Sequence, residues 1–271
     1  MKTKPMILFI GSFLCLSFSS YATIFYQAGA RSTGLGNINT TLIDEFSVFN
    51  NPAALSQLTA TRVGFFSNRT YALSELSTYG LALAIPKSHG TFGIAVSRFG
   101  FSSFNQTLIG LAYGKRLSKT ISIGFKINRV STKIINYNQT SNWLIDLGLF
   151  TQLTDGLSWG VHIFNPMKPQ LGELEEMKTA AIFKTGISYQ IIQSTRLFAE
   201  LEKGSELTPI TKAGLEYANQ DNFFIRIGTT ISPTQFFIGA GIKKEHIQLD
   251  FATAYHHTLG YTPSVSASYE F

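Results

Sequence analysis

From about residue 59 onward the chain alternates apolar and polar positions in segments of roughly ten residues, with turn residues between them. NWLIDLGLFTQ (142–152), GLSWGVHIFN (156–165), NFFIRIGTTI (222–231) and HIQLDFATAY (246–255) show it plainly. A period of two puts successive side chains on opposite faces of a strand. The pattern predicts about fourteen strands, at 59–68, 76–85, 90–98, 105–116, 119–132, 142–152, 156–165, 179–190, 194–203, 208–218, 222–231, 234–243, 246–255 and 260–271. Helical periodicity is almost absent from this region.

Three features decide whether the apolar face meets a soluble core or lipid. Strand charges keep to one parity, and glycine shares it: Lys126, Asp146, Lys184, Glu200, Glu202, Lys212, Glu216, Arg226, Lys243 and Asp250 alternate with large apolar residues. Glycine inside a strand weakens it and marks a close approach of another backbone, so part of the chain is expected to pack inside a lumen. Tight connections also alternate with longer ones. The tight ones fall at 86–89, 117–118, 154–155, 192–193, 220–221 and 244–245, the longer at 69–75, 99–104, 133–141 and 166–178, with Ser232-Pro233 a short exception. Outer-membrane barrels have this asymmetry. Finally, ten-residue segments match a tilted spanning strand, and backbone in lipid requires a closed barrel. The fold class expected is an all-β membrane-spanning antiparallel barrel of about fourteen strands, over 59–271.

The chain ends VSASYEF, with Val265, Ala267, Tyr269 and Phe271 on the expected lipid face. A terminal aromatic after such alternation resembles the C-terminal signal read by the barrel assembly machinery. Tyr269 and Phe271 are assigned to it, and that machinery and outer-membrane lipid are the expected partners.

Composition agrees. The chain has 271 residues and is 44% hydrophobic and 14% charged, against roughly 25% charged in soluble domains. Residues 1–22 read as a secretory signal: Lys2 and Lys4, an apolar run at 6–18, and cleavage after Ala22 of Ser20-Tyr21-Ala22. A lipoprotein signal at Cys15 is the alternative, but Leu14 is the wrong size for that cut. Cys15 is the only cysteine, so the mature chain has no thiolate chemistry. Loss of Lys2 and Lys4 lowers the net charge from +6 to +4. The basic residues are scattered singly, which argues against nucleic acid.

Residues 23–58 precede the strands as a separate N-terminal plug or hatch, and 28–58, AGARSTGLGNINTTLIDEFSVFNNPAALSQL, breaks the alternation. Asn51-Pro52 reads as a helix start, with Asn51 capping and Pro52 at the first helical position. Gly34-Leu35-Gly36 follows no strand and lacks a third glycine, so it is no nucleotide loop. The run Gly29, Arg31, Gly34, Gly36, Asp44, Asn51, Pro52 and Ala53 resembles the N-terminal signature of PorV/PorQ-like outer-membrane proteins, which are related to FadL-type transporters. The resemblance implies a fourteen-stranded barrel in the outer membrane with 28–58 folded into it. It further implies an accessory role in type IX-like secretion or surface assembly, with a larger secretion barrel or secreted proteins as partners. Ala54 departs from the signature, where glycine is common.

Little chemistry is visible. His256 and His257 are adjacent and would face oppositely on a strand, so no metal site is expected. No Ser–His spacing suggests a hydrolase, and neither enzyme activity nor a cofactor is expected. Five cations, Lys126, Lys184, Lys212, Arg226 and Lys243, face five acids, Asp146, Glu200, Glu202, Glu216 and Asp250, which suggests salt bridges to a plug more than a selective pore. Outward aromatics such as Trp143, Trp159, Tyr189 and Tyr255 suit interfacial girdles. Two alternatives to secretion remain: a FadL-like channel for hydrophobic small molecules, whose lining would include Phe66, Leu144, Phe150, Phe164, Phe198, Phe224 and Phe237, and a closed structural barrel.

Overall fold

The computed structural model describes residues 28–137, 139–167, 181–205, 208–220 and 222–271. The expected signal at 1–22 and residues 23–27 of the N-terminal segment lie outside the described residues. So does most of the expected loop at 166–178.

Fourteen antiparallel strands close into one barrel, each paired with its neighbours in sequence and β1 with β14. They are β1 Arg62–Arg69, β2 Ser77–Lys87, β3 Gly90–Gly100, β4 Phe104–Arg116, β5 Ile121–Ile134, β6 Thr140–Gln152, β7 Leu157–Phe164, β8 Ile182–Ile192, β9 Thr195–Gly204, β10 Ile210–Asn219, β11 Phe223–Ile231, β12 Gln235–Lys244, β13 Ile247–His256 and β14 Gly260–Glu270. Each expected segment is a strand. The first begins late because the chain is still leaving a tight turn at Leu58, whose N–H bonds Leu55 O at 3.0 Å.

The ladders leave no broken seam. β3 pairs with β2 and β4 along its length without a register shift. Among the described residues the ladder irregularity lies at Gln190/Ile192, near the end of β8. The closing seam runs from Arg62↔Glu270 to Asn68↔Ser264. An Arg62–Glu270 ion pair at 2.6 Å and a bond from the Phe271 N–H to Thr61 O at 2.9 Å fasten its end. Both barrel ends lie at the mouth with tight turns, the periplasmic side of such barrels. At the outer mouth the expected alternation holds only partly. The connections at 101–103, 232–234 and 257–259 are themselves short, because β3 and β4 extend into the expected loop and β11 nearly meets β12, as β13 does β14.

The outside of the barrel is apolar. Leu81, Ile94, Leu111, Phe125, Ile227 and Ile238 are exposed. A continuous belt of such residues on a closed barrel is a lipid-facing surface. No helix among the described residues is long and apolar enough to cross a membrane.

The lumen is filled by 28–58. This plug contains α1 Ala30–Gly34, α2 Ser47–Asn50 and a 3-10 turn Ala54–Gln57. The expected helix at 52–58 is therefore only four residues of 3-10 turn. Asn51 is extended and ends α2, yet its side chain still caps: Oδ1 accepts the Ala53 N–H at 3.1 Å. Pro52 has no N–H to donate, so the turn rests on this bond and on Ala54 N–H to Asn51 O at 3.0 Å. α1 and α2 were not expected, since five and four residues are too few to show a 3.6 period.

One side of the plug is an apolar core. Phe46 and Phe49 meet Phe66 of β1 edge-on, with centroids 5.7 and 5.4 Å apart. Val48 and Leu55 join them with Leu108, Val130 and Leu144 of β4, β5 and β6. Ala53 and Ala54 pack on Phe150, and Leu35, Ile38 and Leu42 on Phe198. Phe66, Phe150, Phe164 and Phe198 thus belong to apolar clusters shared with the plug, and Phe237 is buried. Phe224 is the partial exception, being only half-buried.

Wall glycines make this fit possible. A Cβ at Gly124 would overlap the Ala53 nitrogen and the Pro52 carbonyl carbon, and one at Gly228 would overlap the Leu35–Gly36 peptide. We expect Gly124→Val to lower the thermal unfolding midpoint by an amount equivalent to about 1–3 kcal/mol of overpacking. Leu111→Val on the lipid face should leave it nearly unchanged. Heat-modifiability of the folded band in gels checks both.

Candidate functional site

Three polar clusters hold the plug against the wall, each built from the inward parity of the strands. The first joins α1 to β10, β11 and β13. Arg31 donates from Nε and Nη2 to the two Glu216 carboxylate oxygens, at 2.9 and 2.8 Å. Its Nη1 lies 3.6 Å from Asp44 within the plug. Glu216 stands directly across the ladder from Arg226 and accepts its Nε at 2.6 Å. Arg226 Nη1 then donates to Asp250 at 2.6 Å, and Gln248 donates to the other Asp250 oxygen at 2.8 Å. Arg226 is 1% exposed. A bidentate guanidinium–carboxylate contact is among the stronger polar contacts, and burial strengthens it further.

The second cluster grips the backbone at 37–40. Lys212 Nζ donates to Asn37 O at 2.9 Å, Glu200 at 2.8 Å and Glu202 at 2.6 Å. Glu200 Oε2 accepts the Asn39 and Thr40 N–H groups and the Thr40 hydroxyl, each at 2.9 Å. Lys184 lies 3.5 Å from Glu202. The third cluster is Lys126–Asp146 at 3.3 Å, with Asn128 donating to Asp146 at 3.1 Å. Lys126 Nζ also stands 5.3 Å from the centroid of the Phe49 ring of the plug.

The expected site residues thus separate. Arg31, Asp44, Glu216, Arg226 and Asp250 form one chain, Lys184, Glu200 and Lys212 a second, and Lys126 and Asp146 a third. Gly29 (φ 91°) opens α1, and Gly36 (φ 76°) turns against the β11 backbone at Thr229. Gly34 lies against Gly239 of β12. Asn51, Pro52 and Ala53 sit over Gly124 and Gly148, where Asn51 Nδ2 donates to Thr40 O at 2.7 Å and Leu149 O at 3.1 Å. Tyr269 and Phe271 lie elsewhere, outward at the closing seam, with centroids 4.8 Å apart. Lys243 departs from its expected lumen role: it is half-exposed at the periplasmic rim, 3.9 Å from Glu270.

Sequence reasoning missed the plug backbone at Asn37, Asn39 and Thr40, which carries the second cluster, because main-chain donors leave no mark in a sequence. It also missed Asn128 and the buried His162. No group of three metal-ligating side chains occurs among the described residues.

Glu45 is a strongly perturbed acid of the plug. It is 3% exposed beside Gly64 of β1. Burial, and then the neighbouring Asp44 carboxylate, push its pKa up to about 8.

No family model matches the chain, and no curated protein matches it. Solved structures do. The monoaromatic hydrocarbon channel CymD superposes with TM-score 0.68 at 14% identity, covering 92% of this chain and 99% of that one. The toluene transporter TbuX of Ralstonia pickettii gives 0.71 at 12% identity, over 90% and 98% of the two chains. A FadL homologue of Pseudomonas aeruginosa gives 0.60 at 13%, over 89% and 97%. At these identities the shared feature is the fold, which is that of an outer-membrane barrel. These relatives lend the secretion role expected from the PorV/PorQ resemblance no support.

Two outcomes follow from the clusters. Arg226→Met should destabilise the protein by about 3–5 kcal/mol, because Asp250 loses its cation in a buried setting, and adding Asp250→Asn should recover part of the loss in thermal midpoint. For Glu45 the folded pKa lies above the ordinary 4.5. The folded state then holds a proton that the unfolded state releases, so stability falls as pH rises from 4.5 to about 8 and levels off above. Measured against Glu45→Gln, the wild type should lose stability across that window. A constant difference would refute the assignment.

Proposed function

We propose that this protein is an outer-membrane channel for small, largely hydrophobic molecules, with 28–58 as its movable plug. The observation that carries the reading is how the plug is held. Along β9 to β13, apart from one small apolar patch of Leu35, Ile38 and Leu42 on Phe198, the contact is made by ion pairs and hydrogen bonds, a form of adhesion that water and a passing solute can replace group by group. The apolar core along β1 to β6 gives the plug an anchor on the other side. A barrel with no transport role would gain as much from an apolar seal on all sides, since buried ion pairs add little net stability over well-packed apolar residues. Two solved structures of the same fold, CymD and TbuX, are a monoaromatic hydrocarbon channel and a toluene transporter, which supports the reading at the level of class. The ladder is unbroken at β3, which supports a solute route along the lumen, past the plug, over one through the wall beside β3.

The test locks the plug. A Cβ built at Gly214 lies 3.3 Å from the Leu35 Cβ and 2.8 Å from the Leu35 carbonyl oxygen, so a small outward shift of the plug relieves the contact and brings the pair to the roughly 3.5–4.5 Å of a disulfide. We expect cells producing the wild type to take up labelled toluene faster than vector controls. The oxidised Leu35→Cys/Gly214→Cys protein should lose that gain, and reduction should restore it. Uptake unaffected by the lock would rule out plug movement as the gate.

A further inference from the structure

A cavity of about 190 Å³ opens at the outer mouth, directly over the plug. Its floor is Thr33 and Asn37 of the plug, and its sides are residues at the outer ends of strands: Asn68 beyond the middle of β1, Thr78 at the start of β2, Gln235 at the start of β12 and Thr262 in β14. Tyr71 and His256 complete it. Below this floor, α1 continues into the Arg31–Glu216–Arg226 chain.

The lining has a definite chemistry. Hydroxyls and side-chain amides predominate, and it contains no Asp, Glu, Lys or Arg. A charged guest would find no counter-charge there. A bare hydrocarbon would strip water from hydroxyls and amides and give nothing back, which disfavours it. Against these polar groups stand two aromatic faces: the Tyr71 and His256 rings meet at 75° with centroids 6.2 Å apart, which makes a corner for a flat ring. His256 Nδ1 accepts the Thr258 and Leu259 N–H groups at 3.2 Å each, so the neutral ring carries its proton on Nε2 as a donor. The volume suits one ring, since a cavity of about 150 Å³ holds benzene.

We propose that this pocket is the outer binding site for a neutral single-ring molecule bearing hydroxyl groups, of the phenol class. The inference rests on the channel reading above and narrows its substrate class. A guest seated here touches Thr33 and Asn37, and so reaches the plug at the two ends of its polar clamp: α1, which carries Arg31, and the Asn37 carbonyl held by Lys212.

The test is titration of the purified full-length protein in detergent with phenol, and separately with toluene, by calorimetry and saturation-transfer NMR. Thr78→Val/Gln235→Leu removes two polar groups from the wall while leaving the ion-pair clusters untouched. We expect saturable phenol binding, toluene at least about tenfold weaker, and a loss of about tenfold for phenol in the double variant at unchanged thermal midpoint. Toluene binding as tightly as phenol, or phenol affinity unchanged in the variant, would overturn the site. The lock experiment separates the two readings. Plug-dependent toluene uptake with no saturable phenol binding discards this pocket and keeps the channel. Saturable, variant-sensitive phenol binding with no uptake above the vector control keeps the pocket and discards the channel.

Discussion

A strand that crosses a bilayer can place a charge in one direction only. Lipid excludes it, so each ionised side chain in mid-wall turns into the lumen and must find its counter-charge there. This constraint orders the rest of the structure. It fixes Lys126, Lys184, Lys212 and Arg226 on one parity with Asp146, Glu200, Glu202, Glu216 and Asp250. It leaves the opposite parity mainly to apolar residues that meet lipid, with outward charges such as Arg98, Arg129 and Lys203 in the outer halves of β3, β5 and β9. It also makes the interior a place where a segment with well-placed carboxylates, guanidinium and main-chain N–H groups is retained without a large apolar interface.

The plug is therefore held in two different ways. Toward β1 to β6 it behaves as an ordinary core, with Phe46, Phe49 and Phe66 stacked edge to face. Toward β9 to β13 it is held by charge, through Arg31 and through the backbone at Asn37, Asn39 and Thr40. The apolar contact is non-directional and is lost only with area. The polar contact is directional and is lost as each bond is exchanged for water. Motion of the plug is thus expected as a swing away from β9 to β13 about the aromatic anchor, with the sheet itself unchanged.

Much of this was readable in the sequence because lipid enforces it. The alternation in 222–231 or 246–255 is strict, since a single-residue slip would turn Arg226 or Asp250 outward. Glycine on the charged parity announced an occupant for the lumen. What could not be read is which wall residue meets which plug residue, because that depends on barrel closure. Lys243 shows the limit of parity: it points the expected way, but its height at the periplasmic rim gives it Glu270 and water as neighbours. The outer pocket was invisible for another reason. Asn37, Tyr71, Thr78, Gln235 and His256 come from distant stretches, and none forms a motif with its sequence neighbours. The N-terminal run that resembles the PorV/PorQ signature pointed to secretion, whereas two solved structures of this fold named above are a monoaromatic hydrocarbon channel and a toluene transporter.

The glycine seats beneath the plug bear on how the molecule is made. A Cβ at Gly124, Gly160 or Gly228 would collide with plug main chain, so wall and plug are shaped to each other with almost no clearance. A finished cylinder offers no passage wide enough to thread such a segment in afterwards. Residues 28–58 precede every strand in the chain, whereas the strand that shuts the cylinder, β14 against β1, comes last. That order suits a sheet wrapped around the segment like staves around a form, with β14 closing the hoop over an occupied lumen.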